Sequence, residues 1–181
     1  MKQLAVLVML LGGSACVGVP EQTPADAFMA NLAGLCGQVH QGRLTTTDPA
    51  DRDFAGKTLV MGPVRCEGTV IAVPFAVGED RSRTWVISRN GEGLRLKHVH
   101  RHADGHEDKV SQYGGDTQAP GSSTRQEFPA DEFSKELFRQ NGLERSITNV
   151  WAFEVVPGRH VAYELRRPNR FFRVEFALPR P

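Results

Sequence analysis

Alternation with a period of two, punctuated by tight turns, constrains this chain more than any other feature. Trp151, Phe153 and Val155 alternate along one segment, Tyr163 and Leu165 along the next, and Phe172, Val174 and Phe176 along a third. A period of two gathers these side chains on one face of each strand. Turn length then decides which faces meet. A three-residue loop at Pro157-Gly158-Arg159 sets Phe153 opposite Tyr163 and Trp151 opposite Leu165. A two-residue loop at Pro168-Asn169 sets Leu165 opposite Phe172 and Tyr163 opposite Val174. Loops of the other parity would turn the apolar faces against each other, because a slip of one residue inverts every side chain.

A second meander follows from Asn90-Gly91 and Asp104-Gly105, both strong two-residue hairpin signals. They set Ile87 opposite Leu94, Trp85 opposite Leu96 and Arg83 opposite His98, then His98 opposite Ser111, Leu96 opposite Tyr113 and Val99 opposite Val110. One face, with Ile87, Trp85, Leu94, Leu96 and Tyr113, reads as core. The other carries Thr84, Lys97, Gln112 and an Arg101–Asp108 pair, together with Val86, Val99 and Val110.

Further β-rich segments at 37–45, 57–66, 68–76 and 125–129 bring the expected count to about ten strands, the ranges above being 83–88, 94–102, 107–113, 147–156, 161–167 and 170–178. Two short helices are expected. Thr23 caps 24–33, with Pro24 at the first helical position and Gly34 as the stop; the second spans 131–141 and ends at Gly142. Segment 114–124 reads as a polar loop. The fold class is mainly β, an antiparallel up-and-down barrel with a sandwich as the second choice. By element count the chain resembles the calycins, the lipocalin and fatty-acid-binding architecture, without the lipocalin Gly-x-Trp mark.

The start of the chain has a different character. Met1-Lys2-Gln3 is basic, Leu4 to Leu11 is apolar, and Gly12-Gly13-Ser14-Ala15 is a run of small residues before Cys16. This is the pattern of a secretory signal over 1–15, followed by a single β-barrel domain over 16–181. It resembles the signal of bacterial lipoproteins, which implies a lipid on Cys16 and attachment to a membrane. Ser14 and Ala15 fit that pattern, and Gly13 departs from it. Ordinary cleavage nearby, leaving Cys16 free, is the alternative. Either way the expected location is outside the cytoplasm, periplasmic or anchored at the outer membrane, and the chain is similar in leader and composition to uncharacterised exported proteins of Gram-negative bacteria. Lipidation would account for the odd one of three cysteines, and Cys36 and Cys66 would then form a disulfide or remain two buried thiols. The 22 basic and 21 acidic residues nearly cancel and are not massed in blocks, which argues against nucleic acid as a partner.

The inward face turns polar towards one end. Beyond Trp85, Leu96 and Tyr113 come Arg83, His98 and Ser111, then His100; beyond Trp151, Leu165 and Phe172 come Asn149, Arg167 and Arg170. An apolar interior that ends in a few polar groups suits a pocket for a small amphipathic or anionic ligand. The candidate ligand-binding residues are Arg83, Trp85, Leu96, His98, His100, Ser111, Tyr113 and Trp151. Solubility of strand ends is the plainer explanation. No cofactor is indicated. His98, His100 and His102 share a face and suggest a metal-dependent enzyme using His98 and His100, but same-face neighbours lie about 6.6 Å apart along a strand, and no third ligand is evident. Asp48, Asp51 and Asp53 read as a capped, solvated turn. Walker A, G-x-S-x-G and G-x-G-x-x-G motifs are missing. Three readings follow: a binding module, a metal-dependent enzyme, and a structural or partner-binding envelope protein with a filled core.

Overall fold

The computed structural model describes residues 21–180, so the expected leader and Cys16 lie outside the described residues. Helix α1 is Pro24–Ala33. Strands follow at β1 His40–Leu44, β2 Leu59–Met61, β3 Arg65–Glu67, β4 Val70–Val77, β5 Asp80–Asn90, β6 Gly93–His100, β7 Tyr113–Asp116 and β8 Arg125–Pro129. Helix α2 is Glu132–Gln140, and β9 Val150–Val156, β10 His160–Arg167 and β11 Arg170–Ala177 complete the chain. The sheet runs β7-β6-β5-β4-β2-β1-β11-β10-β9-β8, antiparallel throughout, with β3 paired to β4 beside this path. It curls into a nearly closed barrel of ten strands. The first and last strands pair, so the seam falls between β7 and β8 in mid-chain.

Both helices form where the sequence places them. Thr23 and Asp26 make a reciprocal capping box ahead of Pro24, and Asp131 caps α2 through Ser134 N at 2.8 Å. Phe28 and Leu32 of α1 are fully buried, and the helix covers the barrel end that holds the β5–β6 and β9–β10 turns. Asp26 pairs with Arg89 there, and Asn31 Nδ2 donates to Ser123 O at 2.8 Å. Cys36, just beyond α1, is disulfide-bonded to Cys66 of β3, 30 residues away, which ties this plug to the sheet. Closing a loop of that length contributes about 3–4 kcal/mol.

The β9–β10–β11 register is the expected one: Phe153 faces Tyr163, Trp151 faces Leu165, Leu165 faces Phe172 and Tyr163 faces Val174. The β5–β6 pairing differs by two residues. Asn90 pairs with Gly93, so the loop is Gly91-Glu92, with Gly91 at φ 58° in its first position. A first-position glycine at positive φ is the other way to build a two-residue hairpin. Ile87 therefore faces Leu96, Trp85 faces His98 and Arg83 faces His100. An even shift preserves parity, and Trp85, Ile87, Leu94 and Leu96 all point inwards and are buried.

The β6–β7 connection departs further. Among the described residues no strand occupies 107–112, apart from an isolated bridge at Glu107; β7 begins at Tyr113, opposite His98, and runs through the Gly114-Gly115 expected in a loop. Gln112 at φ 60° breaks the chain's direction ahead of it. Arg101 bridges Glu107 instead of pairing with Asp108. The glycines are required by close approach. A Cβ on Gly114 would sit 1.9 Å from Leu96 O, and one on Gly115 would sit 1.7 Å from Pro129 O of β8. Among the described residues no ladder joins β7 to β8; instead Asp131 N donates to Gly114 O at 2.9 Å, and Ser134 Oγ accepts from Gly114 N at 2.7 Å. Replacing Gly115→Ala should therefore force the seam apart and lower stability by about 2–3 kcal/mol in urea denaturation, whereas an unchanged midpoint would mean that β7 and β8 do not touch.

Candidate functional site

The end opposite α1 is not filled. A cavity of about 350 Å³ opens there, between the β10–β11 turn and the β6–β7 connection. Its floor is aromatic. Trp85 stacks on Tyr163 with centroids 4.4 Å apart and on Phe75 at 4.5 Å; His98 stacks on Tyr113 at 4.5 Å and leans on Trp151 at 5.0 Å. Below these rings Ile87, Leu96, Phe128, Phe153, Phe28 and Leu32 are fully buried and close the interior. Phe172 and Phe54 line one flank, and Phe138 of α2 the other, with Leu143 and Ser146 at the rim.

His98 is the polar centre of the floor. Its Nδ1 lies 3.1 Å from the carbonyl oxygen of Tyr113, which can only accept, so Nδ1 carries the proton. Nε2 then accepts from the Tyr163 hydroxyl at 2.7 Å. Burial without an anionic partner pushes the imidazole down to about 3, so it is neutral at physiological pH. Burial likewise drives Tyr163 well above the usual phenol range and Tyr113 up to about 12. At the next level towards solvent, His100 Nε2 sits 3.0 Å from the Tyr113 hydroxyl, and burial followed by Arg83 holds His100 below the usual histidine range. The Trp151 indole N–H, in the same floor, has no acceptor among the described residues.

Of the eight candidates, Arg83, Trp85, His98, His100, Tyr113 and Trp151 all line this cavity. The other two do not. Leu96 is fully buried beneath the floor, because the two-residue register shift moves it opposite Ile87. Ser111 is buried inside the β6–β7 connection, accepting from His100 N at 2.9 Å and donating to Glu107 at 2.7 Å. Val110, expected outside, lines the cavity.

No family model, curated protein or solved structure matches this chain. The site is therefore read from its own charges. Arg83 pairs with Asp80, and Arg170 pairs with Asp51 and lies 3.7 Å from Asp48. Asp51 is buried, 1% exposed, and also accepts from Thr46 Oγ1 at 2.6 Å, so this turn anchors Arg170 and is not a solvated one. Asp108 lines the cavity from the β6–β7 connection, 3.4 Å from His102. Arg167 differs from Arg83 and Arg170, the other two arginines of the cavity. Its guanidinium donates to Asn149 Oδ1 at 3.2 Å and Ser146 Oγ at 3.3 Å and has no carboxylate partner among the described residues. Burial, then Arg170 and Arg145, hold it below the usual arginine range. Asn149, 4% exposed, accepts from Arg167 through Oδ1, which leaves its amide N–H groups beside the guanidinium. A charged donor without a counter-ion in a cavity wall has the chemistry to pair with an anion.

The metal reading has little to stand on here. Both His98 nitrogens are hydrogen-bonded, and among the described residues no three His, Cys, Asp or Glu side chains converge. Tyr163, Asn149, Arg167 and Arg170 belong to the site although the candidate set omits them; alternation marks Tyr163 as inward and Arg167 and Asn149 as the polar end of the same face. Phe54 and Phe138 come from a turn and a helix, where strand periodicity gives no signal. Tyr163→Phe should cost about 1–2 kcal/mol, since it leaves His98 Nε2 without its donor, and pairing it with His98→Leu should recover part of that loss in a double-mutant cycle. Strict additivity would show that the hydrogen bond does not hold the floor together.

Proposed function

We propose that this protein is an exported binding module that holds a small amphipathic anion in the open end of its barrel. The observation that carries the reading is Arg167, a half-buried guanidinium in the wall of an aromatic cavity with no carboxylate partner among the described residues. An apolar body rests on Trp85, Tyr163 and Trp151, while the anionic end meets Arg167 and the Asn149 amide. A cavity of about 350 Å³ lies within the range of small-molecule sites. The Cys36–Cys66 disulfide is in keeping with an oxidising compartment, and the signal-like segment 1–15 with delivery there. Attachment through a lipid on Cys16 belongs to the same reading. The unfilled end speaks against a purely structural role for the barrel interior.

The chain's two tryptophans, Trp85 and Trp151, both line the cavity, so intrinsic fluorescence reports its occupancy. Titration with 8-anilinonaphthalene-1-sulfonate, an amphipathic anion, should quench tryptophan emission through energy transfer and saturate at one probe per protein. Arg167→Gln should weaken this binding by about tenfold or more, the loss of one charge-assisted pair, while the thermal midpoint stays within a few degrees. Equal affinity in the variant, or no saturable binding to the folded protein, would refute the reading.

A further inference from the structure

Resting on that reading of the site, we infer that the ligand is a compact, ring-bearing monocarboxylate and not a long-chain acid. Three features of the cavity lead there.

The first is depth. The floor residues Trp85 and His98 and the rim residues Arg83 and His100 are one inward step apart on β5 and β6, about 7 Å, and Asn149 stands two residues ahead of Trp151, just before β9 begins. Ile87, Leu96 and Phe153 fill the barrel directly below. A volume of about 350 Å³ over so short a depth is a bowl and not a tunnel. A long acyl chain that kept its carboxylate at Arg167 would have to fold back on itself or leave its tail in water. The calycin likeness in element count therefore does not extend to a deep, chain-shaped interior.

The second is the chemistry of the walls. Rings dominate the lining: Phe75, Trp85, Tyr113, Trp151, Tyr163 and Phe172. Phe75, Trp85 and Tyr163 form one near-parallel series, and Tyr113 stacks on His98, while Trp151 is tilted to its neighbours and Phe172 stands edge-on to Tyr163. A planar ring entering beside these stacks continues them and gains offset or edge contacts that a flexible chain lacks. A rigid ring also loses less rotational freedom on binding.

The third is charge. Arg83 and Arg170 are paired, which leaves one uncompensated guanidinium, Arg167. Its planar fork, with the Asn149 amide beside it, matches the two oxygens of a carboxylate. Asp108 projects from the β6–β7 connection into the same cavity. It disfavours a second negative charge on the ligand and steers the single one towards the β10–β11 turn.

The test is calorimetric titration of the full chain with three probes: 2-naphthoate, 2-naphthylmethylamine, and laurate below its micellar concentration. The expected result is that 2-naphthoate binds at least tenfold tighter than either of the others, and that Arg167→Gln reduces its affinity about tenfold while leaving the amine unchanged. Laurate binding as tightly as 2-naphthoate would overturn the ring-bearing class and leave the anion-binding reading standing. The amine binding more tightly would overturn the anionic end and that reading with it. No heat with any of the three, from protein whose melting curve shows it folded, would overturn both. As a second readout, Trp151→Ala removes part of the floor; it should improve laurate relative to 2-naphthoate, and a ratio that does not move would show that depth is not what excludes the chain.

Discussion

The hydrogen bond from Tyr163 to His98 joins two halves of a barrel that have no ladder between them at their seam. β6 belongs to the first meander and β10 to the second. The halves are sewn together at β1–β11 by backbone pairing, but among the described residues no ladder joins β7 to β8, where Gly114, Gly115 and the capping groups of α2 make the close approach. A contact across the interior must supply what the seam lacks. His98 does this as a neutral ring, donating a hydrogen bond from Nδ1 to the Tyr113 carbonyl and accepting one at Nε2 from the Tyr163 hydroxyl, with Trp151 and Tyr113 packed on its faces. Each partner depends on the others, because a buried donor or acceptor left unmatched costs more than the bond contributes when made.

That contact also sets the shape of the site. The stacked rings around His98 separate a filled lower interior, closed by α1, from an empty upper one. Function then follows from what stands above the floor. Arginines converge there because three strand ends and a turn bring Arg83, Arg167 and Arg170 to one rim, and acidic residues on neighbouring turns satisfy two of the three. On the outside of the same strands the arginines are spent differently. Arg173 and Arg125 bracket Glu164, which is only 6% exposed, and reach Glu154 as well. That network clamps β8 to β11 from without, and its charges are mutually paired, so it lacks the unmatched cation that marks the cavity.

How much of this was legible varied with the local chemistry. The β9–β11 register was fully readable because Pro157-Gly158-Arg159 and Pro168-Asn169 leave little freedom in loop length, and Asn169 tolerates the positive φ its turn requires. The β5–β6 register was off by two because Gly91 serves in the first turn position as readily as in the second; parity survived, so the inward face did too. The 107–113 segment misled for a physical reason. Val110 and Tyr113 are three apart and cannot share a face of one continuous strand, yet both line the cavity, which demands the break that Gln112 supplies. Six of eight candidate residues reach the cavity through alternation alone. The groups that distinguish the site, an arginine without a counter-ion among the described residues beside two with one, depend on partners that periodicity does not mark: Asp48 and Asp51 lie about 120 residues from Arg170, and Asp80 opens β5 three residues before Arg83.

The closed floor around the buried His98 is the claim on which the rest stands, and nitrogen-detected NMR of its ring tests it most directly. The account predicts a neutral imidazole protonated at Nδ1 and bare at Nε2, with resonances that hold still as the pH falls from 7.5 to about 5, because burial keeps its proton affinity near 3 in the folded state. A ring that titrates near the ordinary histidine value, about 6.5, would mean that water reaches the His98 nitrogens and that the stacked rings do not close the barrel.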